Sequence, residues 1–132
     1  MKTNIFKQII KKEIDSYIID EDKYNIAILD INPIMIGHTL TIPKNIKSDY
    51  IFNLPKKNFN LLMNFSYKIA NILKKTIPCK KISLSVIGLE IPYVHVHLIP
   101  INSIKDLNFN KHIKISKSTF NNLLNDIKKK IK

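Results

Sequence analysis

Apolar residues recur along this chain with two different periods, and the changes of period divide it into elements. Ile5, Phe6, Ile9 and Ile10 fall at helical spacing and predict a short helix within residues 3–12. Residues 17–19 and 24–29 read as two strands joined by the turn Asp20-Glu21-Asp22-Lys23. Asp30-Ile31-Asn32-Pro33 then breaks the sheet. His38-Thr39-Leu40-Thr41-Ile42 is a further short strand closed by Pro43, with Gly37 ahead of it allowing a backbone turn that other residues resist. Residues 56–76 carry the strongest helical pattern. Pro55 precedes them, Phe59, Leu62, Met63, Phe65, Ile69, Ile72 and Leu73 mark the buried stripe, and Pro78 ends the run. Residues 82–87 predict a strand, Gly88-Leu89-Glu90 a short connection, and residues 94–99 its antiparallel neighbour. Residues 101–114 look irregular. A last helix starts near Ser116 or Ser118, either of which suits an N-cap, and turns Phe120, Leu123, Leu124, Ile127 and Ile131 inward. Strand pairs joined by short turns predict an α+β fold, an antiparallel sheet with helices on one side, in a single domain over residues 1–132.

Composition changes this picture little, but charge demands a reading. The formal net charge is +12, a value that suggests nucleic acid. All 22 basic residues are lysine, however, and isoleucine and asparagine are also heavily used. An AT-rich genome imposes that bias on any protein. The lysines are scattered apart from short runs such as Lys128-Lys129-Lys130, so a nucleic-acid partner is not expected. Cys79 is the single cysteine, which excludes an intramolecular disulfide and fits a reducing compartment. No apolar run approaches a membrane span and the N-terminus lacks a signal-peptide pattern, so a soluble, cytoplasmic protein without membrane attachment is expected.

The segment Tyr93-Val94-His95-Val96-His97-Leu98-Ile99-Pro100 carries the chemistry. Residues i and i+2 of a strand share a face, so His95 and His97 project side by side while Val94, Val96 and Leu98 enter a core. Taken alone, the pair has three readings: half of a metal site, two structural histidines, or a catalytic pair for phosphoryl or nucleotidyl transfer. Zinc needs a third and usually a fourth ligand, and no metal-ligand spacing accompanies the pair.

Together with its surroundings the segment resembles the histidine triad (HIT) family, whose signature alternates three histidines with apolar residues. Pro92 to Pro100 aligns without a gap, with Tyr93 in the first histidine's place. Ile26-Ala27-Ile28-Leu29-Asp30-Ile31-Asn32-Pro33, followed by Gly37-His38-Thr39-Leu40-Thr41-Ile42-Pro43-Lys44, resembles the family's second block, and Asn4-Ile5-Phe6-Lys7-Gln8-Ile9-Ile10 its N-terminal segment. The resemblance implies a HIT-like antiparallel sheet with a long helix, a short N-terminal helix and a C-terminal helix, residues 101–132 being a less typical extension. It also implies a homodimer that hydrolyses a purine nucleoside 5′-phosphate derivative: a phosphoramidate, a dinucleoside polyphosphate or a nucleotidyl adduct. His95 then matches the nucleophile that forms a nucleotidyl-histidine intermediate, oriented by the carbonyl at the Tyr93 position. His97 matches the phosphate-contacting histidine and His38 a supporting one. Asp30 matches the ribose anchor, with a turn residue as its plainer reading. Ile5, Phe6, Ile9, Ile28 and Ile31 match the slot for the base, with plain core as theirs. Glu90 matches a phosphate-side position whose backbone N–H contributes. No cofactor and no metal is implied.

The chain departs from the pattern in four places. Tyr93 removes a titratable ring, which predicts a slower or altered enzyme. The loop before it has no asparagine, leaving Ser83 or Ser85 as hydroxyl candidates. Asn4 and Lys7 stand where some members carry cysteines, and Ile101 where an arginine is common. A non-catalytic nucleotide-binding or interaction protein of the same fold is the alternative these departures motivate.

Overall fold

A computed structural model describes residues 5–131. The helix predicted within residues 3–12 is α1, Ile5–Ile10; residues 3 and 4, and with them the Asn4 position, lie outside the described residues. Five strands follow the predicted order: β1 (Ile18–Glu21), β2 (Asn25–Leu29), β3 (Thr39–Pro43), β4 (Lys81–Ser85) and β5 (Val96–Ile101). All pair antiparallel in the order β1-β2-β3-β5-β4. Helix α2, Lys56–Thr76, covers the predicted range, and α3, Lys117–Lys128, closes the chain.

Three differences from the sequence reading have physical causes. Asp20 and Glu21 belong to β1, paired with Ala27 and Ile26, so the turn is only Asp22 to Tyr24. The Asp22 carboxylate closes that turn by accepting the Tyr24 and Asn25 N–H groups, both at 2.8 Å. Charge is tolerated in β1 because it is an edge strand whose acids meet lysines, Lys68 with Asp20 and Lys12 with Glu21. Strand β5 starts two residues late, because the Val94 N–H leaves the ladder for the Ser48 carbonyl at 3.0 Å. It then runs through Pro100, since β3 pairs with β5 only as far as Leu98 and the missing N–H costs no ladder bond there.

Helix α2 lies across one face of the sheet. Its stripe of Leu62, Phe65, Ser66, Ile69, Ile72 and Leu73 is buried, while Phe59 and Met63 from the predicted stripe are only half-buried at its margin. Beneath it the sheet presents Ala27, Thr41 and Val96, aligned across β2, β3 and β5. Ser116 caps α3 by accepting the Thr119 N–H at 3.1 Å. Phe120 of that helix stacks on Tyr17 with ring centroids 4.7 Å apart, which fastens the C-terminal helix beside β1. The opposite face of the sheet carries Ile28, Leu40 and His97 in register and is where the chemistry lies.

Candidate active site

A cavity of about 280 Å³ opens on that second face. Ile5, Phe6, Ile9, Ile28, Asp30, Ile31, His38, Glu90, His95 and His97 all line it. Residues that stand far apart in sequence are gathered because β2, β3 and β5 are neighbours and their alternate positions share a face. Tyr93 does not line the cavity. Its side chain is 2% exposed and lies beneath, its ring edge-on to Phe6 at 6.3 Å. Phe6 in turn stands edge-on to His95 at 4.8 Å, so α1 walls the His95 ring.

Hydrogen bonds fix the tautomers of three rings. The Tyr93 carbonyl can only accept, so the 2.7 Å contact places the proton of neutral His95 on Nδ1. The lone pair is then on Nε2. The Ile34 N–H donates to His38 Nδ1 at 3.2 Å, which places the His38 proton on Nε2. That N–H meets His97 Nδ1 at 2.9 Å, so His97 carries its own proton on Nε2. Asp30 Oδ2 lies 3.5 Å from the same His38 nitrogen, and Asp30 Oδ1 accepts the Asn32 N–H at 2.9 Å. The end of the network is therefore asymmetric: a bare nitrogen on His95 and an N–H on His97.

Burial keeps the rings neutral. It pushes His97 down to about 3, helped by its neighbours His95 and His38 and opposed by Asp30. His38 is pushed down to about 4, first by burial and then by His112 and His95. His95 is lowered as well, by burial, against the pull of the Tyr93 carbonyl and Asp30. Around pH 7 all three are unprotonated bases, which is the state a histidine nucleophile requires.

Asp30, His38 and His97 bring potential ligand atoms within 4.8 Å of one another. They make a poor metal site as arranged, because the His38 nitrogen facing the group carries its proton and has no lone pair to offer.

Sequence reasoning missed part of the wall. Ile14, Asp15 and Ser16 follow α1 into it, and Ile87, Leu89 and Ile91 extend the loop that holds Glu90. Phe109 and His112 come from the stretch that looked irregular. Phe109 stands edge-on to His97 at 5.3 Å. His112 donates through Nδ1 to the Asn32 carbonyl at 2.8 Å, and the Ile113 N–H reaches the Pro33 carbonyl at 2.8 Å. Those two bonds strap residues 109–113 over the turn that follows Asp30. A cluster of isoleucine, lysine and one histidine offers no local signal for such a role; only the count is suggestive, since all four histidines of the chain line this cavity. Ser85 pairs with His97 across the β4–β5 ladder but is absent from the wall.

The sequence model of the HIT domain matches residues 11–104, more than two thirds of the chain. This chain belongs to the HIT family. An adenosine 5′-monophosphoramidase of Saccharomyces cerevisiae is 35% identical over 97 residues, which cover 73% of this chain and 61% of the yeast protein. An uncharacterized HIT-like protein of Borreliella burgdorferi is 36% identical over 103 residues, 73% of each chain. Among solved structures, a hypothetical histidine triad nucleotide-binding protein of Sulfolobus tokodaii superimposes with a TM-score of 0.83 at 26% identity, over 96% of this chain and 91% of that one. A HIT-like protein of Bartonella henselae gives 0.81 at 26% identity, over 97% and 96%. The five-stranded antiparallel sheet with three helices is thus the HIT fold, and nucleotide hydrolases and transferases of this family are the functional frame for the chain. No helix among the described residues is long and apolar enough to cross a membrane.

Proposed function

We propose that this HIT protein hydrolyses a purine nucleoside 5′-phosphoramidate through a nucleotidyl intermediate on His95. The observation that carries the reading is the 2.7 Å bond from His95 Nδ1 to the Tyr93 carbonyl, which leaves an Nε2 lone pair at a cavity that also holds a histidine N–H donor. Attack by Nε2 forms an N–P bond as the P–N bond to the leaving amine breaks. The departing nitrogen takes up a proton, water then cleaves the His95–phosphorus bond, and the second step returns a proton, so only water is consumed. We assign His97 Nε2–H to the phosphoryl group, Asp30 to the ribose hydroxyls, His38 to support of His97, and Ile5, Phe6, Ile9, Ile28 and Ile31 to the base. The backbone at Glu90 faces the phosphate end.

Among the alternatives left by the sequence, charge favours an amine over a polyphosphate leaving group. None of the described lysines lines the cavity, although the chain has 22, whereas Asp15, Asp30 and Glu90 do. A polyphosphate tail would meet carboxylates and no compensating cation. The test compares adenosine 5′-phosphoramidate with diadenosine triphosphate, coupled to mass spectrometry of protein quenched and digested under alkaline conditions, in which a histidine–phosphorus bond survives. Turnover of the phosphoramidate with an AMP adduct on the His95 peptide is expected. Preference for the triphosphate would reverse the leaving-group assignment, and binding of AMP by calorimetry with no turnover of either would favour the non-catalytic nucleotide-binding reading, which Tyr93 and the short loop before it motivate.

We also propose a cytoplasmic homodimer whose sheets join at β4. That strand is a sheet edge with Leu84 51% exposed, and the adjoining Ile87 is 42% exposed. A monomer by sedimentation equilibrium at micromolar concentration would refute the dimer. Residues 101–132 are read as an extension of the one domain.

A further inference from the structure

Tyr93 stands three residues before β5 and two before His95, yet its side chain does not line the cavity. Its hydroxyl donates to the Pro43 carbonyl at 2.7 Å and accepts the Ile46 N–H at 3.4 Å. Both partners belong to the turn that leaves β3, and Asn45 at the centre of that turn has a φ of +57°. A left-handed asparagine between two segments is a strained, costly conformation unless its surroundings hold it. Three residues beyond Asn45, the Ser48 carbonyl accepts the Val94 N–H at 3.0 Å. The Val94 N–H and the Tyr93 carbonyl are the two ends of one planar trans peptide, so fixing one end aims the other. The aimed end is the oxygen that holds the His95 Nδ1 proton. The contacts form a closed ring: phenol, turn 43–48, Ser48 carbonyl, peptide 93–94, His95.

We propose that the Tyr93 hydroxyl is a positioning group for His95, setting its tautomer through the turn at residues 43–48 and the peptide plane between Tyr93 and Val94. It touches neither substrate nor reacting atoms. The phenol is suited to the task because burial raises its ionisation range, so around neutral pH it remains a proton donor to Pro43. Phenylalanine at this position would fill the same space and remove both bonds, leaving the Pro43 carbonyl and the Ile46 N–H buried without a partner. The turn would then relax, the peptide 93–94 would rotate more freely, and His95 would distribute its proton between its two nitrogens. Only the tautomer with Nε2 bare can attack phosphorus.

The inference rests on the proposed role of His95, and its primary readout is independent of turnover. Nitrogen-15 NMR of the histidine side chains reports which ring nitrogen is protonated. Wild type is expected to show His95 as the Nδ1–H tautomer alone, and Tyr93→Phe to show a mixture. In kinetics on the phosphoramidate, Tyr93→Phe is expected to lower kcat about tenfold with KM changed less than about twofold, as for loss of orientation and not of binding. 4-Aminophenylalanine at position 93, which keeps a donor to Pro43, should restore most of both signals. A single unchanged Nδ1–H tautomer in Tyr93→Phe overturns the proposal, whether or not the wild type turns over substrate. Absence of turnover in wild type, with the tautomer shift intact, overturns the proposed function alone. Should Tyr93→Phe fail to fold, amide exchange in the wild type decides: Ile46 and Val94 protected to the same degree supports the ring of contacts, and Ile46 exchanging as fast as an open-loop amide refutes it.

Discussion

The two faces of this sheet are built from alternate residues of the same strands, and they treat buried polar groups in opposite ways. On the helix face Thr41 meets Ser66 of α2, hydroxyl to hydroxyl at 2.6 Å, both residues fully buried. On the other face His38 meets His97 at 2.9 Å, but the chain of bonds that begins at the Ile34 N–H ends with a donor to spare on His97. His95 ends with a lone pair to spare. Most buried polar atoms on both faces are paired, Ser16 Oγ in the cavity wall being a buried side-chain atom without a partner among the described residues. The difference is that the helix-face pair meets within the core, whereas the cavity face ends in one N–H and one lone pair, which the oxygens and the phosphorus of a phosphoryl group can meet. A site of this kind is recognised by the hydrogen-bonding capacity left over once the protein's own bonds are counted.

The comparison can be broken most severely at the bare nitrogen. His95→Ala is expected to reduce phosphoramidate turnover by about a thousandfold or more while the melting temperature moves little, measured by amine release and circular dichroism. Retained turnover would remove His95 from the chemistry.

Acid comes next, because it titrates one face only. His38 and His97 have folded-state values of about 4 and about 3, below the ordinary 6.5 that they regain on unfolding. Between those values the unfolded chain binds more protons, so stability is fully present above about pH 6.5 and is lost as pH falls toward 4 and then 3. Chemical denaturation at pH 7, 6, 5 and 4 should show that decline, and His38→Gln should reduce its slope. Turnover should fall at lower pH than an ordinary imidazole would dictate, since His95 too is lowered.

His38→Ala removes the donor that sets His97. It is expected to cost up to about a hundredfold in kcat, with a smaller change in KM. An unchanged kcat would mean that His97 needs no orienting partner. The smallest effect belongs to the helix face. Thr41→Val orphans the Ser66 hydroxyl and should cost roughly 1–3 kcal/mol in urea unfolding, with kcat unaltered. A loss of turnover there would mean that the two faces are coupled.

Much of the fold was legible because it is written in short-range periodicity. The 3.6-residue repeat of Leu62, Phe65, Ile69, Ile72 and Leu73 located α2 to its ends, and alternation around His95 and His97 placed both rings on one side. The ends of β1 and β5 were misjudged because pairing, not local preference, decides them: Asp20 and Glu21 are strand residues only because Ala27 and Ile26 lie opposite. Phe109 and His112 were missed for a related reason. Their segment has no regular structure to betray a facing direction, and two bonds to the turn at Asn32 and Pro33 bring it to the cavity.

The sequence by itself determined the elements, their apolar faces and the identity of the two histidines that share a face, since each follows from neighbours within a few positions. The tertiary structure alone decided which nitrogen of His38 and of His97 carries the proton. That depends on His38 meeting His97 across 59 positions. Such contacts follow from the order of strands in the sheet, which brings β3 beside β5, and no local pattern of side chains encodes that order.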